Sequence, residues 1–303
     1  MPDITAAMVM NLRQQTGAAM MLCKEALKES DGDVEAATVY IRKKLGGKLS
    51  GATDRTAAEG VVAVVVVDSQ DAAIIELNSE TDFVARSEDF KSFATDLAHH
   101  VARRKGHSVE TVLTQDSLAE PGKTVQARLE DLYTKLREKI VFKRFEFIST
   151  DEKGVLAGYV HVPANDKIGV LVELEAASAE AAKSEAALAV GRELAMQIAA
   201  SKPRFQSRDQ VSDHILDQER DIARETARSE GRPDAQLDKI VEGRLRKFYE
   251  ESVLVDQAWL RDPKKSVSQV LKEAGVTLRR YARYQVGEQL GVETSGSIKE
   301  TAE

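Results

Sequence analysis

Cysteine is nearly absent from this sequence, and its scarcity limits the chemistry that the chain can use. Cys23 is the single cysteine among 303 residues, so no internal disulfide can form. One thiol and five histidines without metal-ligand spacing do not make a zinc site. A chain of this kind fits a reducing compartment, and we expect a cytoplasmic protein without a bound metal.

Long apolar runs are missing as well. The longest, Val61 to Val67, has the length of a strand and falls far below the roughly 20 residues that a membrane helix needs. The opening Met-Pro-Asp-Ile has neither the basic nor the apolar region of a signal peptide. Six prolines and 18 glycines are too few for a long disordered chain. We therefore expect a folded protein that associates with no membrane.

The common enzyme motifs do not occur. The sequence contains no P-loop, no glycine-rich dinucleotide turn after a strand and no nucleophile elbow. Carboxylate pairs are plentiful and leave no regular spacing, so an enzyme is not excluded, but most fall on helix faces predicted to be exposed. A net charge of −7 argues against binding to a phosphate backbone. The sequence favours a binding protein without a cofactor, whose partners are proteins rather than nucleic acids.

Residues 1–50 are predicted to form a head of three short helices and a linker. Thr5 can cap the first helix, Thr16-Gly17 ends it, and Asp33 can cap the third. The glycines and serine of residues 46–51 indicate a flexible joint. The head is thus expected to be a small unit on a short tether.

An internal repeat organises the next part of the chain. Gly60-Val61-Val62-Ala63 is echoed by Gly154-Val155-Leu156-Ala157, and Glu76-Leu77 by Glu173-Leu174, the latter pair with an offset of 97. Each copy is predicted to run strand, turn, strand, helix. Between the copies, apolar residues from Ile140 to Phe147 predict another strand, with an irregularity near Lys143-Arg144. The simplest architecture is a pair of duplicated α+β lobes, comprising residues 51–150 and residues 151–205 with 246–275.

A helical hairpin is predicted at residues 206–245. Val211, Ile215 and Ile222 share one helical face, and a second apolar stripe begins at Leu237. The connection contains Gly231 and Pro233, which suit a helix end and the first turn of the next helix. The narrow stripes favour an antiparallel coiled coil, and two surface helices lying on the core are the alternative. Residues 276–303 are assigned to a separate C-terminal module and tail.

One segment breaks the symmetry of the repeat. Thr81-Asp82-Phe83-Val84 follows the first hairpin, whereas the second copy has Ser178-Ala179-Glu180 there, without an aromatic residue. Because both copies should need the same turn, folding alone does not readily explain an added Asp-Phe pair. The alternative is that Thr81 or Asp82 caps the next helix and Phe83 packs inward as a staple.

Four motifs, in order along the chain, resemble the elongation factor Ts family. They are Thr16 to Leu27 in the head, Asn78 to Ala85, Met196 to Pro203, and Val241-Glu242-Gly243-Arg244. The resemblance extends to about Gly287. It implies a head similar to ubiquitin-associated domains, two core lobes and an inserted coiled coil.

The resemblance also implies a function and a set of contact residues. Members of the family bind elongation factor Tu in its GDP-bound and nucleotide-free states and accelerate GDP release. Asp82 and Phe83, with Thr81 and Val84 beside them, match the pair that disturbs the Mg²⁺ environment of the GTPase. Other positions that match family contacts are Arg13, Met20, Met21, Lys24 and His161, and one of the two methionines is expected in the head core. A 2:2 assembly is allowed by the same resemblance.

The sequence departs from the family before the middle strand. The family pattern Gly-Glu-Asn-Ile reads Arg137-Glu138-Lys139-Ile140 here, which puts in doubt a close contact that glycine would permit. A second class of function also stays open. The head and the hairpin could serve a helical adaptor that binds its partner without releasing nucleotide.

Overall fold

The computed structural model of the chain describes residues 4–16, 18–49 and 57–288. Helices form the head and cover strands that are largely antiparallel, so the predicted α+β class is confirmed. No helix within the described residues is long and apolar enough to cross a bilayer.

Three helices form the head: α1 (Ala6–Thr16), α2 (Met20–Glu29) and α3 (Val34–Leu49). The Thr5 hydroxyl accepts the Met8 N–H at 3.3 Å, and Asp33 Oδ1 accepts two N–H groups at 2.8 and 3.0 Å, so both predicted caps are confirmed. The predicted joint at residues 46–51 is wrong in its first part, because α3 continues through Leu49. Two glycines weaken a helix by only about 1 kcal/mol each, which α3 tolerates. The remainder of that joint lies outside the described residues.

The first lobe contains a three-stranded antiparallel sheet in the order β1-β2-β3. Its elements are β1 (Glu59–Val67), β2 (Asp71–Ser79), α4 (Asp82–Arg86), α5 (Glu88–Arg104), α6 (Val109–Thr114), α7 (Val125–Leu136) and β3 (Val141–Ser149). The predicted third strand is therefore present and pairs with β2 rather than with β1. Phe90, Phe93, Leu97 and Val101 of α5 pack on one face of this sheet.

The second lobe repeats this arrangement, with the sheet order β4-β5-β8. Its elements are β4 (Gly154–Val160), β5 (Ile168–Ala176), α8 (Ala179–Ala182), α9 (Glu185–Ser201), β6 (Ala258–Trp259), β7 (Asp262–Ser266), α12 (Val267–Glu273) and β8 (Val276–Gln285). The assignment of residues 276–285 to a separate C-terminal module is wrong, because β8 pairs with β5 over its length. Periodicity could not foresee a strand partner about a hundred residues away.

The two sheets pack face to face, and one helix covers the outer face of each. The layer between them is filled by alanine, valine, isoleucine and leucine side chains together with Tyr284. Glycines at 158 and 169 allow the sheets to approach closely, because an added Cβ would lie 2.7 Å from Val64 and 2.4 Å from Val62. Helix α5 covers the first sheet and α9 the second. The core is thus a four-layer sandwich of helix, sheet, sheet and helix.

Each sheet contains a buried carboxylate beside a bulge. Glu76 lies opposite Arg144, and the next residue, Leu77, lies opposite Phe142, so Lys143 is the extra residue. Arg144 Nε and Lys143 Nζ both donate to Glu76, at 2.7 and 3.3 Å. The irregularity predicted near Lys143-Arg144 is therefore confirmed.

The second sheet repeats this bulge. Its buried Glu173 accepts from Arg280 Nε at 2.6 Å and from Arg279 Nη1 at 3.1 Å. Arg279 is the extra residue, since Leu174 lies opposite Leu278. Two consecutive cations on one strand thus converge on one carboxylate in both lobes.

The predicted helical hairpin is formed by α10 (Asp213–Ser229) and α11 (Leu237–Ser252). The second helix ends at Ser252, beyond the predicted boundary near residue 245. Ala223 and Ala227 of α10 and Val241 of α11 are buried. The base of the hairpin packs in a separate cluster with Phe205, Val211, Phe248 and Val253. Whether the two helices supercoil stays a prediction.

Candidate functional site

The segment that breaks the repeat forms a one-turn helix, α4, directly after β2. The Thr81 hydroxyl caps it by accepting the Val84 N–H at 3.4 Å. Val84 and the buried Ala85 face the lobe core. Phe83 points the other way and is 83% exposed. The alternative in which Phe83 packs inward is wrong, although its expectation of a Thr81 cap is right.

Asp82 lies beside Phe83 in the first turn of α4. Its carboxylate pairs with Arg86 at 3.0 Å, one turn further along, and remains 40% exposed. An exposed pair of this type contributes well under 1 kcal/mol. The carboxylate can therefore exchange this partner for another at little cost.

The second lobe builds the same turn without these two side chains. Ser178 caps α8 by accepting the Ala181 N–H at 3.2 Å, at an offset of 97 from Thr81. Ala179 and the exposed Glu180 stand where the first lobe has Asp82 and Phe83. The turn folds with either pair, so the fold does not require an aromatic residue there. Such an exposed apolar ring suits binding.

A set of hydrogen bonds from a distant segment also holds this turn, and no pattern in the sequence predicts it. Glu138 Oε1 accepts the Thr81 hydroxyl at 2.7 Å, and Glu138 Oε2 accepts the Thr81 N–H at 3.0 Å. In return, Glu80 Oε1 accepts the Lys139 N–H at 2.9 Å. The partners are almost 60 residues apart, so no local spacing pattern marks them. The one available signal was that Glu138 belongs to a family motif.

All four predicted head residues lie at the surface. Arg13 and Lys24 are exposed, Met20 is 48% exposed and Met21 is 77% exposed. The expectation that one methionine packs in the core is wrong. The inward positions of α2 are filled by Cys23, Ala26 and Leu27, and burial raises the pKa of the Cys23 thiol.

A groove of about 810 Å³ separates α2 from the end of α7. Met21 and Lys24 line it on one side and Arg137 on the other. Lys44 also lines the groove, where a hydrogen bond to Glu25 raises the pKa of its ammonium group. Because Arg137 directly precedes Glu138, the end of α7 connects the head surface to the turn that carries Phe83.

His161 lies in the turn between β4 and β5. Its Nδ1 is 2.7 Å from the Tyr159 hydroxyl, and the residue is half-buried. The turn is tied to the first lobe by an ion pair of 2.6 Å between Lys91 and Asp166. Lys91 lies in the first turn of α5, so the β4–β5 turn that carries His161 contacts the lobe that also carries Phe83. No group of His, Cys, Asp and Glu side chains among the described residues could hold a metal ion.

Comparison with known proteins places this arrangement in a family. The family described as Elongation factor TS matches residues 80–288, which include α4, β3, the whole second lobe and the helical hairpin, whereas β1 and β2 precede the match. A relative named Elongation factor Ts, from Gluconobacter oxydans (strain 621H), is 40% identical over 305 residues, covering 100% of this chain and 98% of its own. The chain belongs to the elongation factor Ts family. It is accordingly a member of a family of translation elongation factors.

Arg137 stands where the resemblance expects the family glycine, and the structure gives a physical reason for that glycine. Arg137 ends α7 in the left-handed conformation, with φ 60° and ψ 23°. Glycine reaches this region without strain, whereas a residue with a Cβ loses about 1–2 kcal/mol there. The exposed Arg137 side chain also lines the groove. Arginine thus adds a cation to this surface, but it ends the helix less favourably than glycine would.

We expect Arg137→Gly to stabilise the protein by about 1 kcal/mol, because it removes the left-handed penalty at the end of α7. Urea unfolding followed by circular dichroism measures the change. Asn165→Gly is the matched control, since Asn165 has φ 54° and asparagine tolerates this region. A gain at residue 165 equal to the gain at residue 137 would contradict the explanation.

Proposed function

We propose that this chain is a guanine-nucleotide exchange factor for elongation factor Tu. It binds the GDP-bound factor and promotes GDP release by disturbing the Mg²⁺ and phosphate site. The observation that carries this proposal is the 83% exposed ring of Phe83 on a turn that its duplicate builds without an aromatic residue.

The chemistry of the turn supports this role. Mg²⁺ bridges nucleotide phosphate oxygens and protein ligands, so loss of the ion exposes the diphosphate charge. Phe83 supplies rigid apolar area that can be buried in a partner. Asp82 brings a carboxylate next to it, held only by an exposed pair with Arg86. Together they form a compact wedge with one apolar and one anionic part.

The head supports a second contact region. Thermodynamic linkage requires that a factor binding the nucleotide-free state more tightly weakens nucleotide binding by the same ratio. Each tenfold change needs about 1.4 kcal/mol, so a large effect exceeds what one aromatic wedge supplies. Met20, Met21 and Lys24 are exposed on α2 and can share this energy. His161 is a third candidate contact, on the second lobe.

Release of fluorescent GDP tests the proposal. Elongation factor Tu is loaded with the labelled nucleotide and mixed with excess unlabelled GDP, with and without this protein. We expect the release rate to rise with the concentration of this protein at substoichiometric amounts. We also expect added GDP to dissociate the complex of the two proteins. A complex that added GDP does not dissociate, together with an unchanged rate of GDP release, would instead identify a non-exchanging adaptor.

A further inference from the structure

The turn that carries Phe83 is fastened to the rest of the lobe by a clasp of two glutamates. We define the clasp as Glu80 and Glu138 with the groups they accept from, Lys139 and Thr81. Both oxygens of Glu138 bind Thr81, one through the hydroxyl and one through the backbone N–H. Hydrogen bonds to a carboxylate are about twice as strong as neutral ones.

The clasp determines how Thr81 can cap α4. A hydroxyl has one proton and two lone pairs. The Thr81 hydroxyl donates its hydrogen bond to Glu138 Oε1 at 2.7 Å. A lone pair of Thr81 Oγ1 is therefore left to accept from the Val84 N–H. The Glu138 carboxylate therefore orients the cap, and the cap orients the single helical turn on which Phe83 stands.

A single turn of helix has little stability of its own, since helix nucleation is unfavourable. The direction of Phe83 must then come from tertiary contacts. Val84 and Ala85 anchor the inner side of the turn in the lobe core. The clasp anchors its beginning to the segment between α7 and β3. The turn that carries the exposed ring is thus held on its inner side by the core and at its beginning by the clasp.

The second lobe provides a natural comparison. Its corresponding connection, between α12 and β8, carries Ala274 and Gly275, and neither has a side-chain oxygen. In the same lobe Ser178 nevertheless caps α8, accepting the Ala181 N–H at 3.2 Å. A cap of this type thus forms without a clasp. The clasp accompanies the lobe that presents Phe83.

We propose that Glu138 is a positioning residue that holds the Phe83 turn in the orientation needed for nucleotide exchange. This inference rests on the function proposed above. The head residues proposed to dock lie on α1 and α2 and are not members of the clasp, so we expect docking through the head to persist when the clasp is lost. Glu138 then governs the maximal rate of GDP release rather than the concentration at which the partner is half-saturated.

Exchange kinetics of clasp variants test this assignment. We expect Glu138→Ala to lower the maximal rate of GDP release about tenfold, equal to about 1.4 kcal/mol, and to change the half-saturating concentration less than threefold. Glu138→Gln should give partial rescue, because its amide oxygen still accepts the Thr81 hydroxyl while its NH₂ group faces a donor. Glu273→Ala, which removes an exposed ion pair with Lys265 before β8, is the control and should exchange like wild type.

Combination with the Asp82→Ala, Phe83→Ala double variant separates positioning from general damage. If Glu138 acts through the turn that carries these two side chains, adding Glu138→Ala to the double variant should slow release no further. A triple variant that is slower by the full product of the effects would overturn the proposal. A Glu138→Ala protein with a wild-type maximal rate, or with only weakened saturation, would also overturn it.

A readout on the free protein keeps the inference distinct from the proposed function. Phe83→Trp places an exposed indole on the turn, and the single native tryptophan, Trp259, is 4% exposed. We expect Glu138→Ala to lower the fluorescence anisotropy of this indole and to increase its quenching by acrylamide. Unchanged values would reject the positioning role. Absence of exchange by the wild-type protein would reject the function proposed above and leave this readout valid.

Discussion

We expect the double variant Asp82→Ala, Phe83→Ala to lose at least tenfold in its acceleration of GDP release from elongation factor Tu. In the proposed function the ring contributes apolar area to the partner, and the carboxylate acts on the polar surroundings of Mg²⁺. Removing both side chains eliminates the proposed wedge and leaves the proposed contact residues of the head unchanged. Release of fluorescent GDP at a series of variant concentrations measures the loss, which should appear mainly in the maximal rate.

The folded state should tolerate this double variant. Phe83 is 83% exposed and the Asp82–Arg86 pair is exposed, so the free energy of unfolding should change by less than about 0.5 kcal/mol. Glu180→Ala alters the corresponding residue of the second lobe and is the matched control. We expect wild-type exchange from it. Equal rates for the double variant, the control and the wild type would remove Asp82 and Phe83 from the site.

Glu173→Gln should lower the free energy of unfolding by about 2–4 kcal/mol at neutral pH. Glu173 is 3% exposed and neutralises Arg279 and Arg280 at the bulge of the second sheet. Removing one member of a buried ion pair leaves the other charge uncompensated. Both arginines keep some contact with water, with side-chain exposures of 28% and 31%, which limits the loss.

A matched control uses the same cation at a more exposed place. Glu175 accepts from Arg279 Nε at 3.2 Å, but its side chain is 45% exposed. Glu175→Gln should therefore change the free energy of unfolding by less than about 1 kcal/mol. Urea unfolding at neutral pH compares the two variants. Equal losses would show that burial of Glu173 is not what makes its charge important.

The same carboxylate makes stability depend on pH in a defined direction. Burial opposes ionisation of Glu173, but hydrogen bonds from Thr150 and Arg280 outweigh it, so its pKa lies below the usual value of 4.5. A carboxyl with a lowered pKa in the folded state stabilises the protein above its unfolded pKa. This contribution disappears as the pH falls through the lower folded value.

The difference in unfolding free energy between wild type and Glu173→Gln should thus be constant near neutrality and shrink below about pH 4.5. Unfolding by urea at several pH values measures it. A difference that grows on acidification would mean that the charge is not held by its arginines.

Local patterns in the sequence predicted much of the fold. The caps at Thr5, Asp33 and Thr81 follow from residue types placed before apolar spacing, and all three are formed. The duplication at an offset of 97 correctly implied equal turns in the two lobes. These features depend on neighbours within a few residues or on comparison of one segment with another, which a sequence exposes directly.

Parts of the candidate site could not be predicted in this way. The spacing of Met20 and Met21 allowed either a core or a surface position, and only the packing of three helices decided that both are exposed. The contacts of Glu138 depend on where the end of α7 meets the end of β2. Helix propensity at Arg137 gave no sign of its left-handed conformation.

The sequence by itself determined that an acid and an aromatic residue interrupt an otherwise repeated scaffold, because each copy of the repeat can be compared with the other. Only the tertiary structure decided that the aromatic ring faces outward, and that two glutamates hold its turn. Those facts depend on strand register and on contacts between residues far apart in the chain, for which periodicity carries no information. The strand β8 illustrates the same limit, since its place beside β5 is fixed by sheet pairing rather than by its position after α12.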